Sequence, residues 1–89
     1  MISRTTRRFR DALRDLPQPV QAQATAAYAR FRNNPNHPSL RFKKIHPTEP
    51  IYAVRITRYY RAVGVRAEGL IVWFWIGSHA GYEQLISRL

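Results

Sequence analysis

Two runs of β-forming residues, 61–66 (RAVGVR) and 70–76 (LIVWFWI), are separated only by Ala67-Glu68-Gly69. A Glu-Gly turn signal between two extended runs predicts a β-hairpin. The second run ends at Gly77-Ser78, and His79 follows where the chain must leave the sheet. An imidazole is thereby held at the rim of a rigid element. The other segments must either pack this hairpin or surround it with charge.

At 89 residues the chain reads as one domain, 1–89, with a modest core. A chain of that size buries roughly 60–65% of its unfolded surface. There is no cysteine, so disulfides and thiolate metal sites are excluded, which fits a reducing, cytoplasmic setting. No apolar run approaches the ~20 residues of a membrane span, and the N-terminus lacks the apolar centre of a signal peptide. Charge is the strongest compositional signal: 15 Lys+Arg against 5 Asp+Glu, a formal +10. All the basic residues except Lys43 and Lys44 are arginine. Its planar fork suits phosphate and carboxylate, and its face stacks on bases. The balance predicts a nucleic-acid or acidic-protein partner, against the alternative of a merely solvated cationic surface.

The N-terminal residues 1–6 are short and polar, with Ser3, Thr5 and Thr6 all able to cap a helix. Phe9, Ala12, Leu13 and Leu16 recur at helical spacing, with Arg7, Arg8, Arg10 and Arg14 on the opposite face. Pro17-Gln18-Pro19 stops this helix and opens a second, whose stripe is Val20, Ala24, Ala27, Tyr28 and Phe31. So short a connection predicts an antiparallel helical hairpin. The breaker cluster Asn33-Asn34-Pro35-Asn36-His37-Pro38 ends it. Residues 40–45 (LRFKKI) read as an edge strand and 46–50 as a loop. Residues 51–56 form a strand with Tyr52, Val54 and Ile56 on one face and Arg55 on the other. Thr57-Arg58-Tyr59 links it to the hairpin. Residues 80–89 read as a C-terminal helix capped by Ser78, with Leu85, Ile86 and Leu89 as its apolar side. The fold class is therefore α+β: a helical hairpin on a twisted antiparallel sheet of three to four strands, then a short helix.

Several of these residues have the chemistry of a site. His79, at the start of a helix and near arginines, is placed where a positive charge is disfavoured, so a neutral ring able to accept a proton is expected. His37 and His46 each precede a proline in a loop and read as turn residues. Arg55 and Arg61, inside strands, either pair with an acid such as Glu49 or Glu83 or form a phosphate clamp. Arg61 shares its face with Val63 and Val65. Either the C-terminal helix covers part of that face or the register is off by one. Tyr82, three residues after His79, either packs or presents its ring or hydroxyl to a nucleotide. Lys43, Lys44, Arg41 and Arg58 are candidates for backbone phosphate, or simply solvate an edge. Trp73, Phe74 and Trp75 read mostly as core. No Gly-rich phosphate loop, metal-ligand spacing or Ser/His/Asp arrangement is present, and no cofactor is expected.

Asn-Pro-x-His-Pro-Ser-Leu ahead of a Lys-Lys strand, then Tyr-x-Val-Arg-Ile, Tyr-Arg-Ala-Val and Ile-Gly-Ser-His-x-x-Tyr, together resemble the RelE/ParE superfamily of bacterial toxins. The likeness is narrower still to compact RelE-like or HigB-like proteins, and it extends from about Ala24 to the C-terminus. It implies a toxin that cleaves mRNA on the ribosome without a metal and is neutralised by a cognate antitoxin, here expected to be acidic. It also implies site residues: Arg55 and Arg61 at the scissile phosphate, His79 before the last helix, Tyr82 as an orienting aromatic, and Lys43 or Lys44 on the basic strand. The sequence departs from the family pattern at its N-terminus, which lacks a clear first strand. The ParE branch shares the fold and inhibits gyrase instead, so a gyrase-directed toxin is the alternative, followed by a non-toxic basic RNA-binding module.

Overall fold

A computed structural model describes residues 1–89. Its elements are β1 (Ile2–Thr5), α1 (Arg7–Arg14), α2 (Gln18–Asn33), a 3-10 turn at Pro38–Leu40, β2 (Lys43–Lys44), β3 (Ile51–Thr57), β4 (Tyr60–Ala67), β5 (Leu70–Ser78) and α3 (His79–Ile86). The strands form one sheet in the order β1-β5-β4-β3-β2. The hairpin is β4–β5, turned by Gly69 at φ +65°. Such a value costs glycine nothing because it has no Cβ to clash. Thr6 caps α1 by accepting from Phe9 N, and Ser78 caps α3 by accepting from Gly81 N.

The α+β class holds, with two corrections to the sheet. It has five strands, and it is mixed, because the polar N-terminal segment is β1 and pairs parallel to β5. Ile2 N donates to Gly69 O and Thr6 N to Trp73 O, while the Trp73 indole donates to Ser3 Oγ at 2.8 Å. Four residues with one apolar side chain carry no periodicity, so only the partner strand reveals this one. Its outward carbonyls are occupied: Thr5 O accepts from Arg10 Nη1 at 2.7 Å, and Ser3 O accepts from Arg4 Nη1 and the Tyr28 hydroxyl. The second correction concerns residues 40–45. Leu40 closes the 3-10 turn, Arg41 is left-handed at φ 47°, and only Lys43–Lys44 pairs with β3. A non-glycine residue in that region costs of the order of 1–2 kcal/mol, and the fully buried Leu40 beside it holds the chain there.

Each face of the sheet has its own core. Helices α1 and α2 cover one, where Phe9, Phe31, Leu40, Val54, Ile71 and Trp73 are buried together. Phe31 meets the Trp73 ring edge-on at 5.3 Å. On the other face α3 lays Tyr82 against Ala53 and Val63, flanked by Phe74, Trp75 and Leu85. A strict alternation would send Trp73 and Trp75 to the same side. The β4–β5 register shifts between Val63 and Gly64, so that Val63 faces Trp75, Gly64 faces Trp73 and Phe74 has no partner. This bulge turns the two indoles to opposite faces. Close packing follows at the glycines. A Cβ on Gly64 would lie 2.8 Å from the Trp73 ring and 2.9 Å from Val72 O, and one on Gly77 would lie 2.8 Å from Trp75.

Gly64→Ala should therefore destabilise the fold by about 1–3 kcal/mol, since the Val72 carbonyl oxygen can yield only if the strand moves. Urea denaturation of the full chain checks this, and an unchanged midpoint would contradict the packing described.

Candidate functional site

The face under α3 is only partly covered. Between the start of α3 and the β2 edge lies a cleft of about 210 Å³, lined by Arg41, Lys43, Arg61, His79, Tyr82 and Glu83 over a floor that includes Ala53 and Val54. Each of these side chains has a local cause. Arg61 stands opposite Arg55 on β3 and Gly77 on β5, so Gly77, with no side chain, sits beside it on the sheet. Two like charges directly opposed across a strand pair destabilise it. Neither arginine lies within 4 Å of a carboxylate: the ion pairs are Arg7–Asp11, Arg14–Asp11 and His79–Glu83. Arg61 is instead tied to the β3–β4 turn, donating from Nη1 to Thr57 O at 2.7 Å and to Tyr60 O at 3.1 Å. Burial, and then the neighbouring Arg55, push its proton affinity below the ordinary arginine value. This is a guanidinium fixed in place with its charge uncompensated, the state that best stabilises an incoming anion.

His79 is the first residue of α3, one position earlier than the sequence places the helix start. Its backbone N–H donates to Tyr59 O at 2.7 Å, so the β3–β4 turn that holds Arg61 also holds the histidine backbone. The ring is about half exposed, and Nε2 is 3.5 Å from Glu83 Oε1. Tyr82, one turn on, has its ring centroid 6.0 Å from that of His79. Tyr82 is only 7% exposed and packs on Ala53 and Val63, which removes it as a stacking platform. Its hydroxyl makes no hydrogen bond within the chain and is not sealed from solvent, and the residue lines the cleft. Burial pushes the phenol above its ordinary value, against the pull of Arg61.

The structure thus brings together His79, Arg61, Tyr82, Lys43 and Arg41, with Arg55 adjacent. The face that Arg61 shares with Val63 is the one α3 partly covers, and the strand register predicted for β4 stands. Lys44 is set apart: Lys43 pairs with Ala53 on the cleft side, and Lys44 pairs with Tyr52, which belongs to the opposite core. Arg58 is also apart, in the β3–β4 turn, with its guanidinium 5.3 Å from the Tyr59 ring centroid. His37 and His46 serve turns, their Nδ1 atoms accepting from Ser39 N and from Thr48 and Glu49 N respectively. Glu83 is the cleft residue that sequence reasoning set elsewhere, as a possible partner for an arginine. Its spacing of four from His79 was the available signal.

Residues 18–84 match the ParE-like toxin domain, a span that runs from α2 into α3. Among solved structures the fold is similar to a chain of the RelB–RelE antitoxin–toxin complex from Methanococcus jannaschii, with a TM-score of 0.74, 14% identity, and coverage of 92% of this chain and 96% of that one. It is similar to YafQ from E. coli, with a TM-score of 0.71 and 8% identity over 90% and 94% of the two chains. The isolated E. coli RelE toxin gives 0.66 and 16% identity over 98% and 96%. Identities this low speak for the fold alone. No curated protein matches by sequence. No helix is long and apolar enough to cross a membrane.

The Tyr82 environment generates a pH dependence. Its phenol holds its proton more tightly in the fold than in the unfolded chain, so the folded state binds more protons at alkaline pH. That contribution is fully present below the unfolded value near pH 10 and is lost as pH rises through the higher folded value. Between about pH 9 and pH 11 the stability of Tyr82→Phe should gain on that of the wild type, measured by urea denaturation at each pH. A constant difference across that range would contradict the burial of the phenol.

Proposed function

The chain belongs to the ParE-like toxin domain family, within the RelE/ParE superfamily, and we propose that it is the toxin of a type II toxin–antitoxin pair that cleaves mRNA on the ribosome. The observation that carries this reading is the shared β3–β4 turn. Its carbonyls fix Arg61, and it also anchors the His79 backbone, at one edge of a cleft that Lys43, Arg41 and the Tyr82 hydroxyl complete. The groups are those that phosphodiester transfer needs, and the step balances with them alone. His79 takes the proton of a ribose 2′-hydroxyl, the 2′-oxygen forms a bond to phosphorus, and the bond from phosphorus to the 5′-oxygen breaks. The Tyr82 hydroxyl gives its proton to the departing 5′-oxygen; afterwards the imidazolium releases its proton to solvent and the phenolate takes one from it, which restores both groups. Products are a 2′,3′-cyclic phosphate and a 5′-hydroxyl end. Arg61, with Arg55 behind it and Lys43 at the rim, meets the charge that develops on the phosphoryl oxygens. Fixed cations act there without reorganisation.

An acidic antitoxin is the expected partner, because its charge complements a +10 surface. Three of the structurally similar chains come from RelB–RelE or RelBE complexes, which supports the pairing. The ParE-like description of the matching family favours a second reading, a toxin directed at gyrase.

On induced expression, His79→Ala and Arg61→Ala should relieve growth arrest at equal protein level and keep the wild-type melting temperature. In cleavage assays on programmed ribosomes the losses should be about 10²–10⁴ for the base and about 10²–10³ for the guanidinium. Mapping of mRNA ends after induction separates the readings. New 5′-hydroxyl ends support the nuclease, DNA damage signalling without them supports the gyrase-directed toxin, and two fully toxic variants would overturn the site.

A further inference from the structure

Five acids stand against the positive charge of this chain, and four lie away from the cleft. Asp11 and Asp15 belong to α1 and its C-cap, Glu49 to the loop before β3, and Glu68 to the hairpin turn. Glu83 alone lines the cleft. A carboxylate there opposes any phosphate that enters, and it reduces the net charge that Arg41, Lys43 and Arg61 present. Its position is determined by α3: a residue four along the helix from His79 shares its side, and Oε1 comes to 3.5 Å from Nε2. The two side chains are each about half exposed, so nothing in the packing forces them together. The backbone of His79 is immobilised by its bond to Tyr59 O, but its ring makes no hydrogen bond within the chain, and the Glu83 carboxylate is the acid that lies beside it.

We infer that Glu83 is a positioning residue that acts through His79, orienting the imidazole and balancing the positive charge the ring acquires when it takes the 2′-hydroxyl proton. With Nε2 turned to the carboxylate, Nδ1 is the nitrogen left for the substrate. Glu83 neither gains nor loses a proton in the step; the proton passes from the 2′-oxygen to the ring. An anion beside a histidine favours the charged form of the ring, and so favours the transition state in which that charge is forming. The cost falls on ground-state binding, where the same carboxylate repels the phosphate backbone. These two effects carry opposite signs, and that makes them separable. The inference rests on the nuclease reading above.

The test uses the full chain, ribosomes programmed with a short defined mRNA, and the same mRNA with a 2′-deoxy substitution at the cut site to measure binding without cleavage. Glu83→Gln removes the charge and keeps the shape. It should bind the 2′-deoxy mRNA as tightly as the wild type or more tightly, while the single-turnover cleavage rate falls by about ten-fold or more, the size expected of a partner that orients an active group. Glu83→Asp, one methylene shorter, keeps the charge and should recover part of the lost rate. A Glu83→Gln protein that binds more tightly and cleaves at the wild-type rate or faster overturns the proposal, because Glu83 is then only an obstacle to phosphate. Parallel loss of binding and rate also overturns it, as damage to the cleft. His79→Ala distinguishes the two levels. If that variant cleaves normally, the nuclease site itself is wrong; if it is inactive while Glu83→Gln is unaffected, the nuclease reading stands and only the role of Glu83 falls.

Discussion

The fold depends on one strand packing an indole into the core on each of its faces, Trp73 buried and Trp75 partly so. β5 is flanked by β1 and β4, covered by α1 on one side, and continued directly into α3. Regular alternation gives a strand one apolar face for every second residue. Leaving Phe74 unpaired reverses the alternation halfway along, so Trp73 anchors the larger core and Trp75 the smaller. The second core is what seats α3, and the seat of α3 sets the place of His79, Tyr82 and Glu83. The indole of Trp75 lies close to both Gly77 and Gly81, the end of the strand and the first turn of the helix. The exit from the sheet is thus packed about one aromatic ring.

Electrostatics then divides the labour within the cleft. Arg55 and Arg61 repel one another across β3 and β4, and no carboxylate lies within 4 Å of either. The turn carbonyls of Thr57 and Tyr60 carry part of that load for Arg61 and hold it still. Tyr82 contributes differently: its ring packs in the minor core while the residue also lines the cleft. One side chain therefore serves both the minor core and the open cleft, which couples the integrity of the helix seat to the chemistry beside it.

Much of this was legible in the sequence, and the exceptions share a cause. The hairpin, the Ser78 cap and the stripes of α1 and α2 all rest on local spacing, which a sequence displays. Thr6 was one of three candidates for the α1 cap, and Arg61 nears His79 through the hairpin pairing with Gly77. β1 was invisible because four mostly polar residues acquire strand identity only from the free edge of β5. The choice between Lys43 and Lys44 depended on a two-residue pairing with β3, in which a slip of one residue exchanges the faces. The bulge at Phe74 similarly has no signature in a run where every residue favours a strand. Glu83 is the one case with a readable signal. Histidine and glutamate are the first and fifth residues of a helix whose start at the Ser78 cap was already legible, so their i,i+4 spacing could have paired them.

The occupied carbonyls of β1 bear on the company this molecule can keep. A sheet margin with vacant acceptors is a template on which a further chain can build, whether a stray copy or a binding segment. Here the guanidinium of Arg10 and the phenol of Tyr28 fill that margin from within. The opposite margin is two lysines long, too short and too highly charged to recruit a neighbour of its own kind. A segment that lengthened the sheet along the N-terminal border would therefore have to displace the Arg10 guanidinium and the Tyr28 phenol from the carbonyls they occupy.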